Sequence, residues 1–391
     1  MLNRVLILLF CLACAAPVWP QAEIAPEARQ RDHEVAASLS ELTTLAVNPV
    51  LVGGYRSVRS YYNTAPEQRH TLPWTAQPWF WGTLLTIGFI FTVNGLIGWG
   101  PLKKFLHATE VLEQKAMLIY ASPLVIPVGI ELIRAMGLAG ISVSPLSSAH
   151  AATGMVVGST DPVTNILGGL VGMTVFGLMW LTNQAINTLV LLSPVGLIDS
   201  AARFVQLGLL GMFLGIAALS PVLGAVISVI LIIVSALIVG WSFRLTLFGT
   251  VFAWDLLGHR TRAPADASVL AFSGAGMPLP ARTMGQLRRR DGRLEMVYRP
   301  WLILPRRRVS VPEHGRILTH GYIFSQIHSV SPRRDVALFT LPPRYRGSEE
   351  AVAAFTGCES SRASLLKGGV LATIKWLRAF GSSDARATLQ H

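Results

Sequence analysis

The sequence predicts a mostly α-helical polytopic membrane protein with about five transmembrane helices. A C-terminal cytosolic α+β domain should follow, a small β barrel or split sheet with a closing helix. Three observations lead there. Of 391 residues 51% are hydrophobic and only 14% charged, well below the roughly 25% charged residues of soluble domains. Between Ala116 and Leu257 the charged side chains are Glu131, Arg134, Asp161, Asp199, Arg203, Arg244 and Asp255, and the apolar runs between them reach the roughly 20 residues that cross hydrocarbon. Residues 258–391 then carry 21 Lys and Arg against 9 Asp and Glu, so the whole net charge of +12 follows the apolar region.

Residues 1–22 read as a signal peptide. Arg4, the apolar run Val5–Ala13 and the small residues through Ala16 supply its basic, hydrophobic and cleavage regions. Residues 23–78 form an extracytoplasmic segment with a helix at about 27–46. Pro73, Trp74, Trp79 and Trp81 then make an aromatic cluster suited to a membrane–water interface.

The transmembrane domain is expected over 79–257. Its first span, 79–99, leads to Lys103, Lys104 and Lys115, which mark a cytoplasmic loop. The span 116–140 returns outward, and the loop that follows it has no Lys or Arg. A third span enters from Val163, residues 204–219 go out, Ser220-Pro221 turns, and Val222 to about Phe243 comes back. An odd number of spans after an exported N-terminus places the C-terminus in the cytoplasm of a cell inner membrane. Gly168-xxx-Gly172 and Gly211-xxx-Gly215 permit close helix approach, within one chain or along a homo-oligomer seam.

Residues 258–281 read as a linker and 282–391 as the basic cytosolic domain. Strands are expected at 294–298, 301–304, 308–311, 317–330 and 335–341, where β-branched and aromatic residues are cut by Pro, Gly and Asp. A short helix should begin after Ser348, with Glu349 and Glu350 in its first turn and Gly357 at its end. A last amphipathic helix is expected over about 362–380.

Three groups of residues could carry function. The loop 141–165 combines Ser147, Ser148, His150 and Asp161 with Pro and Gly; a re-entrant segment lining a wet cavity would need that mixture. The simpler reading is an ordinary hairpin, with Ser159 or Asp161 capping the next helix and Pro162 in its first turn. Glu131 and Arg134 stand at i, i+3 on one helix face, able to pair and to lower the cost of charge in a membrane. They and the loop are the candidate solute or ion path. Arg288, Arg289 and Arg290, with Arg306, Arg307 and Arg308, are the candidate contacts to anionic headgroups.

Other chemistries find little support. No phosphate loop, HExxH, G-x-S-x-G, paired CxxC or dinucleotide fingerprint occurs, and no cofactor is expected. Cys11 and Cys14 lie in the signal, leaving Cys358, and the spacing of His314, His320 and His328 matches no metal motif. Nucleic acid is disfavoured because the basic residues lack a recognition helix or stacking aromatics. The leading expectation is a non-enzymatic membrane scaffold or assembly factor that presents its basic domain to anionic lipid or an acidic partner. A small-solute or ion transporter is the alternative, and an intramembrane enzyme comes third.

Overall fold

The computed structural model describes residues 26–47, 49–72, 74–83, 125–136, 162–192, 220–258, 268–312, 315–320, 324–329, 336–358 and 361–363, with a few single positions between them. The expected signal peptide, residues 141–161 and the helix expected beyond Ala363 lie outside the described residues. The chain divides into two compact units. One comprises Met1–Phe89, Met117–Trp180 and Val205–Leu237; the other comprises Ile90–Ala116, Leu181–Phe204 and Ile238–His391.

In the first unit, helix α1 (Pro26–Val47) is followed by α2 (Pro49–Asn63). Leu42, Leu45 and Ala46 of α1 share one core with Val125, Val128 and Leu132 of the helical stretch 125–135. Phe176 and Met179 of α3 (Pro162–Leu192) complete it. The small residues explain the closeness of two of these helices. A Cβ added at Gly129 would lie 2.8 Å from the Cα of Gly172 and would strike the carbonyl of Gly168. The Gly168-xxx-Gly172 face therefore packs within the chain.

The five-span expectation does not hold. Among the described residues two helices are long and apolar enough to cross a membrane, Asn165–Leu192 and Val222–Gly258. The stretch 125–135, expected inside the second span, is a core helix whose Val125, Val128 and Leu132 are buried. An apolar helix serves a protein core as well as a bilayer, and periodicity alone does not separate them. The orientation drawn from an odd number of spans falls with that count.

Helix α4 (Pro221–Gly258) is 38 residues long. Pro221 occupies its first position, and the Ser220 hydroxyl accepts from the Leu223 N–H at 3.4 Å, as an N-cap does. The helix does not stop at Phe243, because Arg244 has a protein partner: its Nε donates to the Ala281 carbonyl at 3.1 Å.

Among its described residues the second unit holds one open sheet of eight strands in the order β4-β3-β2-β1-β7-β6-β5-β8. The strands are β1 (Val269–Ser273), β2 (Met284–Arg290), β3 (Arg293–Tyr298), β4 (Arg307–Ser310), β5 (Arg316–His320), β6 (Ser325–Ser329), β7 (Val336–Thr340) and β8 (Ser361–Ala363). Neighbours are antiparallel except β5 and β8. It has two edges, so it is no barrel. Alternation sends Ala271, Leu287, Met296, Leu318, Ile327 and Leu338 into one core, shared with Val352 of α5 (Glu349–Thr356). Phe272, Met284 and Phe324 join a second core with Leu191, Leu192, Leu245, Phe248 and Phe252. There the rings of Phe248 and Phe272 meet edge to face at 4.7 Å.

Helix α5 follows its expected chemistry with one change. Glu349 and Glu350 lie in the first turn, and Gly357 closes the helix at φ 69°, a left-handed position that glycine takes without steric cost. Ser348 stands at the N-cap, yet its hydroxyl donates to the Tyr345 carbonyl. The nearby carboxylate of Glu349 accepts from the Gly347 N–H instead, at 2.6 Å.

Candidate membrane-facing site

Along α4 the exposed large apolar residues are Val222, Val226, Val229, Ile233 and Leu237, with Leu223 beside them. Their spacing of three or four keeps them on one face. A continuous uncovered apolar stripe of this kind is uncommon on soluble surfaces. Beyond it Leu245, Phe248 and Phe252 are buried, while Trp254 is exposed. Residues 222–240 rise about 28 Å, close to the roughly 30 Å of a bilayer's hydrocarbon. Arg244 is the first charged residue beyond them.

Beside that boundary sits the loop after β3. Trp301 packs on Phe243 with ring centroids 4.9 Å apart, and its indole would lie 3.7 Å from a Cβ at Gly240. Trp301, Leu302, Ile303 and Leu304 are all exposed, Ile303 to 88%. The expected strand 301–304 is absent because Trp301 at φ 55° and Leu302 at φ 62° break the extended chain. Left-handed backbone at two consecutive non-glycine residues costs roughly 1–2 kcal/mol each. Four apolar side chains are thus held outward on a strained turn, and strain of this kind clusters at functional positions.

Between this loop and α4 lies a cleft of about 350 Å³. Phe243, Arg244, Tyr298, Arg299, Trp301 and Arg307 are among its walls, and the described residues that line it include no Asp or Glu. Alternation along β4 explains the placement of Arg307: it shares a face with Val309, which also lines the cleft, whereas Arg308 and Ser310 take the other face.

The two arginine triplets do not merge. Arg288–Arg290 end β2 at its hairpin with β3, Arg290 being opposite Arg293. Arg307 and Arg308 lie opposite Tyr298 and Val297, toward the other end of β3. Arg306 precedes them and is exposed. Only the second triplet, with Arg299, therefore accompanies the apolar loop. Within the first, Arg288 donates to Gln286 at 2.8 Å and Arg290 lies 3.7 Å from Asp291, all of them exposed.

Glu131 and Arg134 are both half-buried on the stretch 125–135. Ser147, Ser148, His150 and Asp161 lie outside the described residues. Pro162 does open α3. His320 is 3.7 Å from Glu349 and His328 is 3.1 Å from Gln326, while His314 lies outside the described residues. No metal-holding group of three or more His, Cys, Asp or Glu occurs among the described residues. Cys358 is half-buried beside the Thr356 hydroxyl at 3.1 Å. Burial pushes its thiol pKa up, against smaller lowering contributions from Thr356 and Arg316.

Sequence reasoning missed Arg299, Trp301 and the cleft. Their signal was the run Arg299-Pro-Trp-Leu-Ile-Leu-Pro-Arg306, four apolar residues closed by two prolines and flanked by arginines. Compared with known proteins, the chain matches no family model, no curated protein and no solved structure.

Proposed function

We propose that this chain is a non-enzymatic, membrane-anchored protein whose basic sheet domain works against an anionic bilayer surface. One observation carries the reading. On α4 the exposed apolar stripe ends at Leu237, and the next turns, at Gly240 and Phe243, meet an outward-facing Trp-Leu-Ile-Leu loop flanked by arginines. Tryptophan and arginine are the residues that settle at headgroup level. The apolar stripe supplies the anchor, the loop a shallow wedge, and Arg299 with Arg306–Arg308 the attraction to acidic lipid. Two long apolar helices support membrane association, and α3 and α4 are the proposed inserted elements.

Alkaline carbonate extraction of membranes containing the full chain tests the anchor. The chain should stay with the lipid and float with it on a density gradient. Release into the aqueous supernatant overturns the reading.

A further inference from the structure

Strand β4 closes one side of the sheet, and among the described residues no strand pairs with its outer edge. Register shows which groups that edge offers. The Val311 N–H donates to the Leu294 carbonyl at 3.0 Å, continuing the ladder in which Val309 stands opposite Met296 and Arg307 opposite Tyr298. Opposed residues of an antiparallel ladder alternate between pairs that exchange hydrogen bonds and pairs whose N–H and C=O groups point away. Arg307 and Val309 therefore bond to β3, whereas the N–H and C=O of Arg308 and of Ser310 point outward from the sheet. Both residues are exposed. Pro305 and Pro312 bracket the segment, which limits pairing to this short stretch, because proline brings no N–H to a ladder.

The side chains on this edge select what can join it. From Leu304 to Pro312 the chain carries Arg306, Arg307 and Arg308 and no Asp or Glu, and all three arginines are exposed. Within the register the neighbouring acid is Glu295, opposite Ser310 and one strand in from the edge. A second copy of β4 would set arginine against arginine, and like charges directly opposite destabilise a strand pair. Edge charge of this kind turns away neutral and basic strands, while an acidic strand meets attraction instead. A bilayer supplies negative charge but no backbone donors and acceptors in register, so the outward groups of Arg308 and Ser310 favour a peptide. Alternation puts Arg308 on one face and Arg307 with Val309 on the other. A complementary antiparallel strand thus has an apolar residue opposite Val309, followed by acids opposite Arg308 and Arg307. We infer that the β4 edge is a docking site for an extended acidic segment of a protein partner, with the pattern apolar-acid-acid, which adds to the sheet as a further strand.

The test is fluorescence anisotropy of the full chain in detergent with a labelled acetyl-Thr-Ile-Thr-Val-Glu-Glu-Thr-amide peptide. It should bind about tenfold more tightly than the same peptide with both Glu replaced by Lys. It should exceed by about as much the same peptide N-methylated at alternate residues, which keeps the charge and removes the donors of strand pairing. Ser310→Pro deletes one outward N–H where an edge strand tolerates proline, and should weaken the acidic peptide roughly tenfold. Arg307→Gln with Arg308→Gln should weaken it by a similar factor, whereas Gln at Arg288–Arg290, at the far hairpin, should leave it within about twofold. Equal binding of the Glu and Lys peptides overturns the site, as does equal loss from the two sets of arginine variants. Equal binding of the N-methylated peptide would show a plain electrostatic surface, of the kind that meets lipid, and overturns strand addition; so does unweakened binding by Ser310→Pro. The measurement needs no bilayer, so a chain that resists carbonate yet fails here loses the docking edge and keeps its anchor.

Discussion

The carboxylate of Asp255, in the last turn of α4, accepts two hydrogen bonds from the Arg344 guanidinium, at 2.8 Å from Nε and 2.7 Å from Nη2. The Asp255 side chain is 2% exposed and that of Arg344 21%. A carboxylate at a helix C-terminus opposes the macrodipole, so the pair supplies the compensation that the helix denies. The hydrogen bond with Asp255 raises the Arg344 pKa above its usual value, outweighing its partial burial.

Arg344→Ala should therefore leave a buried charge unpaired and cost about 3–5 kcal/mol. Thermal unfolding of the full chain followed by circular dichroism would register this as a lower midpoint. Replacing both partners, Asp255→Leu with Arg344→Met, should recover most of the loss, because an apolar pair of similar volume carries no desolvation penalty. A double variant no more stable than Arg344→Ala would show that the pair is not what holds this end of α4.

The approach of the 125–135 stretch to α3 makes a second prediction. Gly172→Ala places a Cβ 3.0 Å from the Gly129 Cα, and overpacking of this kind costs roughly 1–3 kcal/mol. Gly177, with nothing within 4 Å of an added Cβ, should accept Ala and gain up to about 1 kcal/mol from helix propensity. Equal thermal midpoints for the two variants would contradict the close contact.

Cys358 offers a pH test. Its thiol pKa is raised by burial, so at neutral pH less thiolate forms than in the unfolded chain, and thiolate is the reactive species. Alkylation by iodoacetamide, located by peptide mass spectrometry, should be roughly tenfold slower in the folded protein at pH 8 than in denaturant. In linkage terms a raised folded value gives stability that is full below the unfolded pKa and is lost as pH rises through the folded one. Stability should accordingly be flat through neutral pH and decline in the alkaline range. A thiol equally reactive in both states would remove the burial argument.

Much of the second unit was legible because local chemistry and tertiary structure agree there. The run 294–298 became β3, 308–311 became β4 shifted by one residue, and Gly357 ends α5. The misses have identifiable causes. Residues 269–273 fall in the stretch expected as a linker, yet form β1 because β2 and β7 pair with them from both sides. Strand β2, Met-Gly-Gln-Leu-Arg-Arg-Arg, has no β-branched residue, and pairing overrides its weak propensity. Arg244 looked like the end of a span, although its partner is a carbonyl 37 residues away. At the site, the arginine triplets were visible in sequence, but their separation along β3 was not, since only register reveals it.

The central claim is that the turn at Trp301–Leu304 meets the bilayer, and the depth of Ile303 tests it most directly. In the full chain reconstituted in vesicles with acidic lipid, a fluorophore on Ile303→Cys, in a background with Cys11, Cys14 and Cys358 all replaced by Ser, is compared with one on Asp291→Cys at the far hairpin. The account predicts strong quenching of the first by nitroxides carried on the upper acyl chain and little quenching of the second, with the aqueous quencher iodide giving the reverse. Equal access of iodide to both positions, without lipid-phase quenching at Ile303, would contradict it.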